Sequence, residues 1–229
     1  MKLVLKIGGS LLFDRRKRLY TTRFEQFAQV IGKIATQGHK LVVVVGGGAL
    51  AKSLINRGVR LNAGRDALDR LGIASTWVCA QLMIAALGDR AYPTPMFSEE
   101  QVLEHLAGTR LLVVGGLQPG QSTNAVAARI AELTESEVVV NATDVDGVYD
   151  QDPDRFPQAK RFESITVSQL RQIISSLSDK PGEYPLFDKN ALNIVQRSGI
   201  EVWFVNGTNP DNILDAVSHQ HIGTRLVSG

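Results

Sequence analysis

The chain is poor in the residues that staple or metallate a fold. It has one cysteine, Cys79, in 229 residues, so no intrachain disulfide can form. That composition suits a reducing compartment, and a cytoplasmic location is expected. Its four histidines (His39, His105, His219 and His221) are scattered and lack cysteine companions, which argues against a zinc site. His219 and His221, near the C-terminus, are expected to face solvent. Charge of one sign is also scarce. The formal net charge is +2, too small for a nucleic-acid coat or a membrane-surface protein. Continuous apolar runs such as Leu41 to Val45 are only strand-sized, so no bilayer span is expected. The apolar stretch at the N-terminus is too short for a signal peptide and runs straight into Gly8-Gly9. Two motifs are missing as well. No Gly-x-x-x-x-Gly-Lys-Ser/Thr occurs, which excludes a P-loop enzyme, and no Gly-x-Gly-x-x-Gly follows a strand, which weakens a dinucleotide reading.

What is present is an apolar fraction of 44%, enough for a sizeable core in one α/β domain or two fused lobes. Strand-like and helix-like segments alternate. Leu3 to Ile7, Leu41 to Val45, Leu111 to Val114, Val138 to Ala142 and Val202 to Val205 read as strands, and Ile222 to Val227 as a closing one. Thr21 to Thr36 has helical spacing of Phe24, Phe27, Ala28, Ile31 and Ile34. Helices are also predicted after Gly48, over about Ala67 to Leu87, and over Thr123 to Leu133 with Ser122 or Thr123 as N-cap. Three more are predicted over Thr166 to Ser175, Phe187 to Arg197 and Asp211 to Ser218, while Asp150 to Lys160, polar and with two prolines, reads as a loop. This order predicts an α/β fold with a mainly parallel sheet and helices on both faces, an αβα sandwich. Ligands of such sheets bind outside the carboxyl ends of the strands.

Glycine clusters sit at those ends: Gly8-Gly9, Gly46-Gly47-Gly48 and Gly115-Gly116. One cluster alone is most simply a tight turn. Three after three buried strands point to several phosphates held along one edge by backbone N–H groups, which needs no large net charge. Lys6 lies in the first strand beside Gly8-Gly9, an unusual place for a lysine. It either snorkels to an edge or reaches a ligand there as a point charge. The segment Gly116 to Thr123 is rich in donors and acceptors. Gln118 and Gln121 could read a base edge, and Ser122 and Thr123 could cap a helix or touch phosphate. Asp69, early in a helix, could bind ribose hydroxyls or merely offset the helix dipole. The acidic loop from Asn141 to Pro153 follows a strand. Its carboxylates could hold Mg²⁺ indirectly and Tyr149 could pack on a purine.

These segments resemble the amino-acid kinase superfamily: Lys-Ile-Gly-Gly-Ser at 6–10, Val-Val-Gly-Gly-Gly at 44–48, Gln-Pro-Gly-Gln-Ser-Thr at 118–123 and Thr-Asp-Val-Asp-Gly-Val-Tyr-Asp-Gln-Asp-Pro at 143–153. Their order is most similar to the archaeal-type uridylate kinase branch, over essentially the whole chain. The resemblance implies one amino-acid kinase-like domain over 1–229, with an acceptor lobe over about 1–135 and a donor lobe over about 136–229. It implies ATP with Mg²⁺ as donor, the metal carried by ATP rather than by a protein site. It also implies UMP as acceptor, UDP as product, and a homohexamer with neither nucleic acid nor membrane as partner. By position, Lys6 would be catalytic. Lys6, Gly8, Gly9, Ser10, Gly48, Lys52, Thr143, Tyr149 and Asp152 would bind ATP. Gly47, Lys52, Asp69, Leu117, Gln118, Pro119, Gly120, Gln121, Ser122 and Thr123 would bind UMP. Relatives usually carry arginine where Lys52 stands, arginine and asparagine where Trp77 and Cys79 stand, and often aspartate where Asn124 stands. Lys52 keeps the charge but loses the bidentate fork, and Asn124 keeps hydrogen bonds without the charge.

Two other readings stay open. One is a kinase of another small acceptor, such as isopentenyl phosphate or a carboxylate. Kinases of isopentenyl phosphate use a histidine near the acceptor phosphate, and none lies between His39 and His105. The other is a non-catalytic nucleotide or oxyanion binding protein on the same fold.

Overall fold

In a computed structural model, which describes residues 1–153, 155–177, 187–218, 220 and 222–227, the chain forms one seven-stranded sheet between two helical layers. The strands are β1 (Lys2–Ile7), β2 (Lys40–Val45), β3 (Leu111–Val114), β4 (Val138–Thr143), β5 (Ser164–Thr166), β6 (Glu201–Asn206) and β7 (Thr224–Val227). Their spatial order is β3-β2-β1-β4-β6-β7-β5. The first five run parallel, whereas β7 is antiparallel to β6 and β5 is parallel to β7. The parallel strands are buried on both faces, so they read as unbroken runs of Val and Leu.

The helices are α1 (Thr21–Thr36), α2 (Gly48–Arg60), α3 (Arg65–Leu87), α4 (Glu99–Leu106), α5 (Thr123–Thr134), α6 (Val167–Leu177), α7 (Lys189–Ser198) and α8 (Asp211–Val217). The two-residue period of the strands sorts the core. Leu3, Leu5, Ile7, Leu41, Val43 and Val45 face α1, α3 and α8. Val4, Val42, Val44 and Val139 face α4, α5, α6 and α7. In α1, Phe24, Phe27, Val30, Ile31 and Ile34 are buried on one stripe, each contributing up to about 1.5–3 kcal/mol relative to exposure. α5 packs through alanine (Ala125, Ala127, Ala128 and Ala131), which lets its axis approach the sheet closely.

Four differences from the sequence expectations have physical causes. α4 is unpredicted because only Val102 and Leu106 on it are buried, although Ser98 accepts a hydrogen bond from Gln101 N, a start signal legible in Ser-Glu-Glu-Gln. β5 is a three-residue edge strand that, among the described residues, pairs only with β7, too short to show a period. The helix expected from Thr166 starts at Val167, and that expected from Phe187 starts at Lys189 after Asp188 caps it. Finally, the stretch Arg65–Arg90 is long and apolar enough to cross a membrane by length and composition. Yet Ser75, Thr76, Cys79, Ala80, Met83, Ile84 and Leu87 on it are buried. His219 and His221 lie outside the described residues.

Candidate active site

β3, β2, β1 and β4 are adjacent and parallel, so their carboxyl ends share one edge. That geometry brings all three glycine clusters and the start of the acidic loop together. The turn after β1 is pinned to both neighbours: Gly8 N donates to Ala142 O at 3.0 Å and Gly46 N donates to Ile7 O at 3.1 Å. Gly9 and Gly48 meet backbone to backbone. A Cβ on Gly9 would lie 2.1 Å from Gly48 N, and one on Gly48, where φ is +51°, would lie 2.3 Å from Gly9 O. No other residue fits this crossing, which places the first turn of α2 directly over the β1 turn. Ser10 is the second residue of a short 3-10 turn, Gly9–Leu12. Thr123 Oγ1 also borders the cradle, 3.4 Å from where a Cβ on Gly46 would stand.

Lys6 is buried among valines on its face of the sheet, whereas Lys2 and Lys40 on the same face stand at the amino ends of their strands. Lys6 is 9% exposed, and its Nζ reaches the turn, 3.4 Å from a Cβ built on Gly8. Burial pulls its pKa from 10.5 down to about 8, and the Asp144 carboxylate opposes that drop. At neutral pH it is still a cation, held in a site where charge is poorly screened. An anion arriving at the edge therefore finds a desolvated, pre-positioned ammonium. Asn141 is the strand neighbour of Lys6 and lies on the same face. Its Nδ2 donates to Asn124 Oδ1 at 3.4 Å, and its buried Oδ1 accepts no hydrogen bond among the described residues.

The loop from Leu117 to Thr123 is held at three points. Asp69 Oδ2 accepts from Gly120 N at 3.0 Å, so one oxygen of this carboxylate orders the loop. Gln121 N donates to Gln118 O at 3.3 Å, while Gln121 Oε1 has no partner among the described residues. Ser122 is the N-cap of α5, accepting from Ala125 N at 3.0 Å, and its hydroxyl donates to Asp188 Oδ2. Pro119 sits within this loop between the tethers.

Lys52 projects from the second turn of α2 into solvent, with no ion pair among the described residues. Thr143 ends β4, its hydroxyl 3.2 Å from Asp144 Oδ1 and its carbonyl accepting from Gly207 N at 2.8 Å. Tyr149 bridges to Arg161, and Asp152 pairs with Arg155 at 3.5 Å. These last two stand further out along the loop. Among the described residues, no group of three or more His, Cys, Asp or Glu is placed to cage a metal.

Residues at the divergent positions have structural roles. Trp77 Nε1 donates to Gly116 O at 2.9 Å, and Thr76 Oγ1 accepts from Gly116 N at 2.5 Å. Together they clamp the β3 turn from α3. Trp77 also meets Phe97 edge to face at 5.0 Å. Cys79 is fully buried, and burial raises its thiol to about 11, so it is inert packing.

The model of the amino acid kinase family matches residues 1–206. The chain belongs to the amino acid kinase family. Among family members, it is 36% identical over 228 residues to a uridylate kinase of Methanobrevibacter smithii, covering 100% of both chains. It is 38% identical to a uridylate kinase of Archaeoglobus fulgidus, over 98% of this chain and 99% of that one. The crystal structure of uridylate kinase from Archaeoglobus fulgidus superposes with a TM-score of 0.89 at 35% identity, over 99% of this chain and 100% of that one. A UMP kinase structure from Bacillus anthracis, at 19% identity and a TM-score of 0.83, shares the fold.

Sequence reasoning missed four supports of this amino acid kinase site: Asp144, Asn141, Thr76 and Asp188. Asp144 was legible as the first carboxylate after a strand. The other three act through contacts 17 to 66 residues away in sequence, which no local pattern encodes.

Proposed function

We propose that this chain is an ATP-dependent UMP kinase, converting ATP and UMP to ADP and UDP. The observation that carries the reading is the buried Lys6 ammonium at the mouth of the glycine cradle, beside the tethered loop that begins after β3. Its identity to named uridylate kinases over the whole chain supports the same acceptor. The acceptor is already a phosphate, so its oxygen is a nucleophile without a general base. Catalysis then reduces to in-line placement and cancellation of charge.

Lys6 is the catalytic residue in this reading, stabilising the phosphoryl group in transit. Backbone N–H groups of Gly8, Gly9, Ser10 and Gly48 cradle the donor phosphates, with Thr143, Tyr149 and Asp152 lining the donor side. Gly47 and the Leu117 to Thr123 loop enclose UMP, Asp69 takes its ribose, and Lys52 swings in to hold its phosphate. Mg²⁺ carried by ATP would supply further neutralisation of phosphate charge. Asp144, the carboxylate beside Lys6, is the residue that would meet such a shared metal. The acceptor lobe then spans about 1–135 and the donor lobe about 136–229, in a cytoplasmic homohexamer.

The neutral Asn124–Asn141 pair and the Trp77 clamp favour a second reading, a nucleotide-binding protein without turnover. Purified protein incubated with ATP, Mg²⁺ and, separately, UMP, CMP, dUMP, isopentenyl phosphate or acetylglutamate distinguishes the readings through ADP release. Release with UMP alone is expected. Turnover with a different acceptor would move the assignment to that acceptor. ATP binding without turnover on any of them would favour the binding protein.

A further inference from the structure

An arginine-rich segment follows the cradle, and Phe13 at its base reaches Gly48, its ring 2.7 Å from a Cβ built there. The segment after the 3-10 turn folds back as a small hairpin, Phe13 pairing with Leu19. Asp14 organises it. Its Oδ1 accepts from Arg16 N at 2.8 Å and from Arg18 N at 2.9 Å, and its Oδ2 accepts from Arg18 Nε at 2.9 Å. The turn closes with Asp14 N donating to Arg18 O at 2.9 Å and with Lys17 in the left-handed region, φ 60°. A left-handed lysine is uncommon, so this backbone is held by the Asp14 contacts rather than by its own preference.

The ordered backbone of the hairpin carries a cluster of cations. Phe13, Asp14, Arg15, Arg16, Arg18, Tyr20 and Arg23 line a cleft of about 490 Å³. Four arginines thus line the cleft with a single carboxylate, and that carboxylate is already engaged by Arg18. Arg23 is anchored by its Nη1, which donates to Thr208 O at 2.7 Å. Arg15 and Arg16 have exposed side chains and no hydrogen bond or ion pair from them among the described residues. Guanidinium groups suit phosphate oxygens through paired N–H donors, and several converging on one cleft suit a chain of phosphates better than a single one.

We infer that the cleft between the 13–19 hairpin and the start of α1 binds a polyphosphate chain, separately from the cradle at the strand ends. The chain is either inorganic polyphosphate or the triphosphate tail of a nucleotide, and Tyr20 on the wall offers a face for a base in the second case.

The test is calorimetric titration of the full-length protein with tripolyphosphate and with thymidine triphosphate, each in the presence of saturating ADP and Mg²⁺. Binding of either that weakens at least ~10-fold in Arg15→Ala/Arg16→Ala, from loss of two charge-assisted contacts, supports the inference. Tighter binding of thymidine triphosphate assigns the nucleotide tail, and tighter binding of tripolyphosphate assigns the inorganic chain. Arg57→Ala/Arg60→Ala, which removes two exposed arginines on α2, serves as the charge-matched control and should bind as the parent does. Circular dichroism confirms that both variants are folded. Equal loss in the two double variants would reduce the effect to general attraction and overturn the site. So would no binding of either by the parent protein under saturating ADP.

Discussion

Replacing Lys6 by methionine should make the protein both inactive and more stable. Methionine keeps the length of the stem and removes the charge. Burial holds the Lys6 ammonium at a pKa of about 8, against 10.5 in the open. At ~1.4 kcal/mol per pH unit, the folded protein gives up on the order of 3 kcal/mol to keep that cation. The unfolded chain binds the proton more tightly, so stability rises with pH between about 8 and 10.5. The penalty is full below pH 8 and gone above about pH 10.5. Thermal melts without nucleotide should therefore show Lys6→Met above the parent at pH 7, by several degrees on the scaling for a chain of this size. The gap should have shrunk to a small part of that value by pH 10. In the kinase assay the same variant should lose at least ~10²-fold in kcat, as when a donor aimed at transition-state charge is removed. A variant that melts below the parent at pH 7, or whose gap is the same at pH 7 and pH 10, would refute the burial argument. Near-normal turnover would remove Lys6 from the chemistry.

Four further outcomes are expected. At pH 8.5, where free Lys6 is mostly neutral, ATP binding should take up a fraction of a proton as phosphate raises the lysine pKa, read as buffer-dependent binding enthalpy; Lys6→Met should show none. Gly48→Ala should lose activity and at least ~2 kcal/mol of stability in urea denaturation, because its Cβ meets the Gly9 backbone at a positive φ. Ser122→Ala and Asp188→Ala should each cost about 1 kcal/mol through lost caps. The two changes share one hydrogen bond, so the double variant should fall short of additivity by about 0.5 kcal/mol or more. Glu132 is held at about 2, by Arg197 first and Arg129 next. Its contribution is present above pH 4.5 and lost as pH falls toward 2, so Glu132→Gln should flatten the acid limb of the stability curve.

Much of the fold was legible because the parallel strands are buried on both faces and announce themselves as apolar runs ended by glycine. Helix α1 was readable to its terminal residues, since Phe24, Phe27, Ile31 and Ile34 mark one face. α4 escaped because it buries two side chains, and β5 because three residues cannot show alternation. At the candidate site, Lys6 stood out as a lysine where valines belong, and the glycine clusters that the sequence placed at strand ends gather on one edge of the sheet. The sequence could not show that Asp69 spends one oxygen on Gly120. Nor could it show that Trp77 clamps Gly116 or that Asp188 ties the loop after β3 to α7. Those contacts join segments 39 to 66 residues apart and follow from packing, not local pattern. Lys52 is the reverse case: its place on α2 was readable, but it reaches solvent rather than the cradle without ligand.

The most direct test of the central claim is transfer of label from γ-³²P-ATP to UMP in the presence of Mg²⁺, followed by separation of the products. The account predicts labelled UDP in the parent protein and at least ~10²-fold less in Lys6→Met. Bound ATP with no labelled UDP from the parent would contradict it.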